Sequence, residues 1–162
     1  MKAWLGFVTN ASDLLRSIER DLEPFGLDGG DYQLLAMLSA APEHRMKMCE
    51  LADILRLSRG GLTRRMEGVV QSKFVERVRD EADGRAAFAH LTSKGFAFLK
   101  KIALHHVKSV RGQMIDLLSE SEIKALGTAC CVKARADMRE VMAWSTALMS
   151  DEEVLMYGSP VL

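Results

Sequence analysis

A mostly α-helical chain with one small β-hairpin is the fold class this sequence predicts, on three observations. Apolar residues recur at three- and four-residue spacing along most of its 162 residues, the period of an α-helix. Leu, Met, Ala and Val carry most of a 48% hydrophobic composition, and aromatic residues make up 6%, a balance that suits helices. Only residues 74–91 read as strands, two short runs around an Asp-Gly turn signal. The length is that of about one domain, expected to span 1–162.

The first helix is carried by Trp4, Val8, Ala11, Leu15, Ile18 and Leu22, an unbroken seam at alternating spacings of four and three. Leu5 and Leu14 widen it, so the helix is expected to pack on more than one neighbour. Pro24 and Gly26 close it. Leu27 to Gly30 reads as a turn, and either Asp28 or Asp31 caps a second helix through Tyr32, Leu34, Leu35 and Leu38, ended by Ala41-Pro42. Met48 to Leu55 is a short third helix with Leu51, Ala52, Ile54 and Leu55 inward. After the turn at Arg56-Leu57, Ser58 caps a fourth helix with a buried stripe of Leu62, Met66, Val69 and Val70.

At about 100° per residue, Gly60, Arg64, Glu67 and Gln71 face the opposite way from that stripe, with Thr63 and Arg65 on the shoulders. Strands are expected over Phe74 to Arg79 and Ala86 to Leu91. Thr92 then caps a long fifth helix running to about Leu118. Ser119 or Ser121 begins a sixth that extends past Trp144, and the last dozen residues read as a tail. The layout is a helix-turn-helix with a basic hairpin wing at 31–95, set in a helical bundle built from both chain ends, 1–26 and 96–148.

Charge follows this layout. The net charge is zero, but residues 56–101 hold 11 Lys/Arg against 5 Asp/Glu, while residues 1–55 and 102–162 are both net acidic. A basic centre between acidic ends is the footprint of a localised nucleic-acid contact. The fourth helix is the element such an architecture lays in a DNA major groove. Arg64, at the centre of its exposed face, is the first candidate for forking onto guanine O6/N7. Glu67, one turn on, either accepts from a cytosine amine or repels off-register backbone. Ser58, Thr63 and Arg65 are candidates for phosphates, helped by the helix N-terminus, and Arg59 beside them is a further candidate for DNA contact. Gly60 and Gly61 either let that terminus approach DNA closely or are tolerated surface glycines. Arg77 and Arg79 alternate with Val78 and should lie along the backbone, and Arg85 at the hairpin tip is the candidate for the minor groove.

The stretches FGLDGGDYQLLAMLSAAP (25–42), LADILRLSRGGLTRRMEGVV (51–70), VERV (75–78) and DGRAAFAHLTSKG (83–95) resemble the MarR family (multiple antibiotic resistance regulators) over nearly the whole chain. The last is the most specific, an Asp-x-Arg wing followed by Leu-Thr-x-x-Gly opening a long helix. The resemblance implies a homodimer built by the N-terminal helix and the last two helices, with Trp4, Val8, Ala11, Leu15, Ile18 and Leu22 as the first helix's share. It implies a double-stranded DNA partner, and repression relieved by a small molecule in the cleft between dimer and DNA-binding lobes. It also implies that Asp83 holds Arg85. Two positions depart from the family pattern, since Lys73 and Arg56 stand where Gly is common.

Other functions have less behind them. No nucleophile–base constellation or phosphate-binding glycine loop suggests an enzyme, and no cofactor is expected. Cys49, Cys130 and Cys131 read as small residues of a reducing compartment, and His44, His90, His105 and His106 form no i,i+4 pair for a metal. A thiol- or metal-sensing regulator of the same fold is an alternative, as is a winged-helix protein-interaction module without DNA binding. The opening MKAWLGFVTNASD is not expected to be a secretory signal, no apolar run is long enough to span a membrane, and a cytoplasmic, nucleoid-associated protein is expected.

Overall fold

The computed structural model describes residues 1–79 and 87–131. These form helices α1 (Lys2–Leu22), α2 (Gly29–Ala40), α3 (Met48–Ile54), α4 (Arg59–Gln71), α5 (Ser93–Gln113) and α6 (Glu120–Cys131), and strands β1 (Arg45–Lys47), β2 (Val75–Arg79) and β3 (Ala87–Leu91). Single 3-10 turns lie at Glu23–Phe25, Pro42–His44 and Ile115–Leu117. The sheet is antiparallel in the order β1-β3-β2, with Met46 opposite Ala89 and Arg77 opposite Ala89 on its other side.

α2 is the hub, packed against α1, α4, α5, β1 and β3. Leu34, Leu35 and Leu38 are fully buried and join Leu22, Leu51, Leu62, Met66, Leu91, Leu99 and Ile102 in one core. Each such side chain stabilises the fold by roughly 1.5–3 kcal/mol relative to its exposed state. Both candidate caps of α2 serve together. The Asp31 amide donates to Asp28 Oδ1 (2.8 Å), and the Asp28 amide donates to Asp31 Oδ2 (3.4 Å), a reciprocal capping box.

The helix-turn-helix is fixed at each end by its own chemistry. Ser58 Oγ accepts from the Gly61 amide (3.1 Å) and starts α4. At the other end Thr92 Oγ1 accepts from the Gly95 amide (3.0 Å), starting α5, and also donates to the Lys73 carbonyl (2.8 Å). Lys94 Nζ donates to the Ser72 carbonyl (2.9 Å). The exit of α4 is thereby stapled to the start of α5. Gly95 is required by this closeness: a Cβ there would lie 2.2 Å from the Phe74 carbonyl oxygen and 2.8 Å from Leu91 Cδ1.

Several expectations shift. β1 lies outside residues 74–91, where the strands were expected, and pairs with β3; three residues are too short to show an alternating pattern. The hairpin's first strand begins at Val75, because the Phe74 amide closes α4 on the Val69 carbonyl (2.9 Å) and its carbonyl accepts from the Thr92 amide (2.9 Å). α3 ends one residue early, at Ile54. α5 stops at Gln113 instead of about Leu118. Gly112 weakens its last turn by about 1 kcal/mol relative to Ala, Met114 leaves the helix at φ −140° and ψ −60°, and Arg111 Nη2 reaches across the break to Asp116 Oδ1 (2.7 Å). Ser119, not Ser121, caps α6: Glu122 Oε2 accepts from the Ser119 amide (2.8 Å), and Ser119 Oγ accepts from the Glu122 amide (3.4 Å). The extension past Trp144, the remainder of 96–148, and Ala86 lie outside the described residues. Among the described residues, no helix is long and apolar enough to cross a membrane.

Candidate nucleic-acid interface

α4 buries one face and offers the other. Leu62, Met66 and Val69 are inside, while Arg59, Gly60, Thr63, Arg64, Glu67, Gly68 and Gln71 are exposed. Nothing within 4 Å would meet a Cβ at Gly60 or Gly68, so no protein packing requires those glycines. Gly61 differs, since its Cβ would sit 3.2 Å from Ser58 Oγ, beneath the cap. Among the described residues, Arg59 and Arg64 make no ion pair or side-chain hydrogen bond, which leaves both guanidiniums available to a ligand.

Arg65 behaves differently from its neighbour. Its Nη1 donates to Asp28 Oδ2 in a short bond and lies 3.4 Å from Asp31 Oδ1. The guanidinium lies over the start of α2, where a Cβ on Gly30 would come 2.8 Å from Arg65 Cζ. One residue farther back, the Gly29 amide donates to Glu19 Oε2 of α1 (3.1 Å). Sequence reading placed Arg65 among phosphate contacts and missed this clasp. Its only trace is the pairing of two glycines with two aspartates 34–37 residues upstream of Arg65, a separation at which no periodicity operates.

The clasp sets the charges of its members. Partial burial opposes ionisation of Asp28, but the Arg65 hydrogen bond and the Asp31 amide outweigh it and hold the carboxyl below the usual range. Burial, then the nearby Asp28 charge, pushes Asp31 up. Arg65 is held the more firmly protonated by its bond to Asp28.

The wing strand is tied to α4 as well. Arg77 Nη2 donates to the Thr63 carbonyl (3.1 Å). Arg79, at the exposed end of β2, has no such partner among the described residues. Asp83 and Arg85 lie outside the described residues. Of the residues assigned to dimerisation, Trp4, Val8 and Leu15 are exposed, Trp4 to 64% and Leu15 to 63%; Ala11 and Ile18 are half-buried. Leu22 is fully buried in the chain's own core, so Leu5 and Phe7, both exposed, are the better companions to that surface.

Away from α4, the Tyr32 and His106 rings pack 4.6 Å apart where α2 meets α5. His106 Nδ1 is buried without a hydrogen-bond partner among the described residues, and burial lowers its pKa below the ordinary histidine value against the opposing pull of Asp21. Cys49 is free and exposed; the side chains of Cys130 and Cys131 lie outside what is described. Among the described residues, no group of three or more His, Cys, Asp or Glu is arranged to hold a metal ion.

This geometry has counterparts. Residues 25–86 match a model of the MarR family. The fold superposes on AbsC, a MarR family transcriptional regulator from Streptomyces coelicolor, with a TM-score of 0.78 and 35% identity, covering 82% of this chain and 90% of that one. It superposes on Sco3205 from the same organism, a MarR family regulator solved in complex with DNA, with a TM-score of 0.77 and 29% identity, covering 82% and 83%. Among curated proteins, the transcriptional repressor YetL of Bacillus subtilis is 28% identical over 63% of each chain, so the match spans somewhat under two thirds of that relative's length. A 35% identity sustained over nine tenths of AbsC, at a TM-score of 0.78, settles the relationship: this chain belongs to the MarR family.

Proposed function

We propose that the protein is a sequence-specific, DNA-binding transcriptional regulator that acts as a homodimer, and not an enzyme. The observation that carries the reading is the exposed face of α4, where Arg64 and Arg59 stand unengaged beside Gly60, Thr63 and Glu67 on a helix anchored at its shoulder, its exit and its flank. Arg64 reads a guanine edge in the major groove, with Glu67 setting register. Ser58, Arg59, Gly60, Gly61 and Thr63 bring the α4 N-terminus to phosphate. Arg77 and Arg79 follow the backbone, and Arg85, held by Asp83, enters the minor groove. Arg65 acts as a strut, and its contribution to DNA binding runs through the orientation of α4.

The exposed Trp4, Val8 and Leu15 face a second copy of the chain, joined by residues of 96–148, which places two 31–95 lobes on half-sites centred about 10 bp apart. The protein represses, and a small molecule between the dimer helices and the DNA-binding lobe relieves repression by changing the spacing of the two α4 helices. The buried, unpartnered His106 Nδ1 beside Tyr32 supports a polar ligand at that junction. A winged-helix interaction module without DNA binding is disfavoured by the same unengaged arginines. The test is fluorescence anisotropy on the intergenic DNA upstream of the protein's own gene, against a scrambled duplex, across a salt series. Tight binding to the first alone, with a steep salt dependence, is the expected result. Absence of binding to either duplex at low salt would overturn the reading.

A further inference from the structure

Three helix ends in this protein are built the same way, and the residue that each places in the left-handed conformation is not the same. At the end of the 3-10 turn that follows α1, the Gly26 amide donates to the Glu23 carbonyl (2.9 Å) and the Leu27 amide to the Leu22 carbonyl (3.4 Å). At the end of α3 the Arg56 amide donates to Asp53 (3.1 Å) and the Leu57 amide to Ala52 (2.8 Å). At the end of α4 the Lys73 amide donates to Val70 (2.9 Å) and the Phe74 amide to Val69 (2.9 Å). All three are Schellman closures, which demand a positive φ that glycine accepts freely and other L-residues resist. Gly26 supplies it at φ 70°. Arg56 (φ 53°) and Lys73 (φ 61°) supply it against that resistance, and these two turns are the ones that bracket α4.

We infer that Arg56 and Lys73 are phosphate anchors at the two ends of the recognition helix, kept in strained turns for the charge that glycine cannot carry. Both side chains are exposed, and among the described residues neither makes an ion pair or a side-chain hydrogen bond. The Thr92 hydroxyl bond to the Lys73 carbonyl (2.8 Å) holds the strained peptide in place. Over 13 residues α4 rises about 20 Å, more than the roughly 12 Å width of the major groove. A helix seated there overhangs at both ends, where the bordering phosphates run. Cations at helix C-termini also interact favourably with the helix dipole, and that role alone would concern stability and not DNA.

This inference rests on the proposed DNA-binding function, and the experiment separates the two. Arg56→Gly, Lys73→Gly and the double variant are titrated, as full chains, onto the specific and the scrambled duplex between roughly 50 and 200 mM salt, with Tm measured alongside. Each single variant should weaken binding to both duplexes to a similar extent and make the slope of log K against log salt shallower by about 1, the double variant by about 2. Tm should not fall, because strain is released. Arg56→Asn and Lys73→Asn, which tolerate the left-handed conformation without charge, should behave alike. Gly26→Lys, a cation in the third closure, should leave the salt slope unchanged. Unaltered slopes in both glycine variants, or a lower Tm with unaltered slopes, would overturn the inference. Failure of the wild-type protein to bind either duplex would remove the function beneath it as well.

Discussion

Arg64 and Arg65 are adjacent in sequence and identical in chemistry, yet the fold uses them in opposite ways. Arg64 projects from the face opposite Leu62 and Met66 into open solvent, whereas Arg65 is turned onto Asp28 and Asp31 of α2. The face of α4 was legible from the 3.6-residue period, which is a local property. The occupant of the shoulder was not, because a contact across 37 residues leaves no mark on periodicity. Arg64→Ala is expected to weaken specific binding by about 1–3 kcal/mol and to relax one base position, with Tm unchanged; binding to a panel of single-base operator variants checks it. At the clasp, the folded state holds Asp28 below its ordinary pKa of 3.8. The stability this gives is fully present above that value and is lost as pH falls through the lower folded-state pKa. The wild-type advantage over Asp28→Asn in thermal melts should therefore be constant near neutrality and shrink only in acid below about pH 4. An advantage already shrinking between pH 7 and 5 would point to another group.

At the scale of elements, the boundaries found correctly in the sequence are those with their own chemical signal. Asp28, Ser58 and Thr92 cap α2, α4 and α5 with side-chain oxygens on backbone amides, and capping residues are readable one at a time. The early end of α5 and the existence of β1 were not readable in this way. The first depends on Met114 leaving the helix and on Arg111 pairing with Asp116, and the second on β3 being present to pair with three residues. The Leu-Thr-x-x-Gly motif has a physical meaning that spacing alone did not supply. Leu91 is core, Thr92 joins two helix ends, and Gly95 leaves room for the Phe74 carbonyl. Gly95→Ala should cost about 3 kcal/mol, since the Phe74 carbonyl in the way is backbone and cannot rotate aside. Chemical denaturation measures it directly, and a loss below experimental error would show that α5 shifts freely from the exit of α4.

At the scale of the molecule, one polar chain and one apolar surface connect binding to assembly. Glu19 of α1 holds the start of α2, Asp28 and Asp31 at that start hold Arg65, and Arg65 sits on α4. These contacts join α1 to α4 through the start of α2. The apolar side of α1, with Trp4, Leu5, Phe7 and Leu15 more than half exposed, is costly in a monomer and favourable once a second copy covers it. Leu15→Asp, distant in sequence from every proposed DNA contact, should halve the mass in sedimentation and abolish tight specific binding. A variant that stays dimeric would remove α1 from the interface. Whether two copies of α4 read DNA at a fixed separation is decided by sequencing the duplexes that the purified protein retains from a random pool. The expected motif is a pseudo-palindrome with half-site centres about 10 bp apart, one position of which loses its preference in Arg64→Ala. A retained pool with no enriched sequence, or an enriched motif identical for wild type and Arg64→Ala, would contradict it.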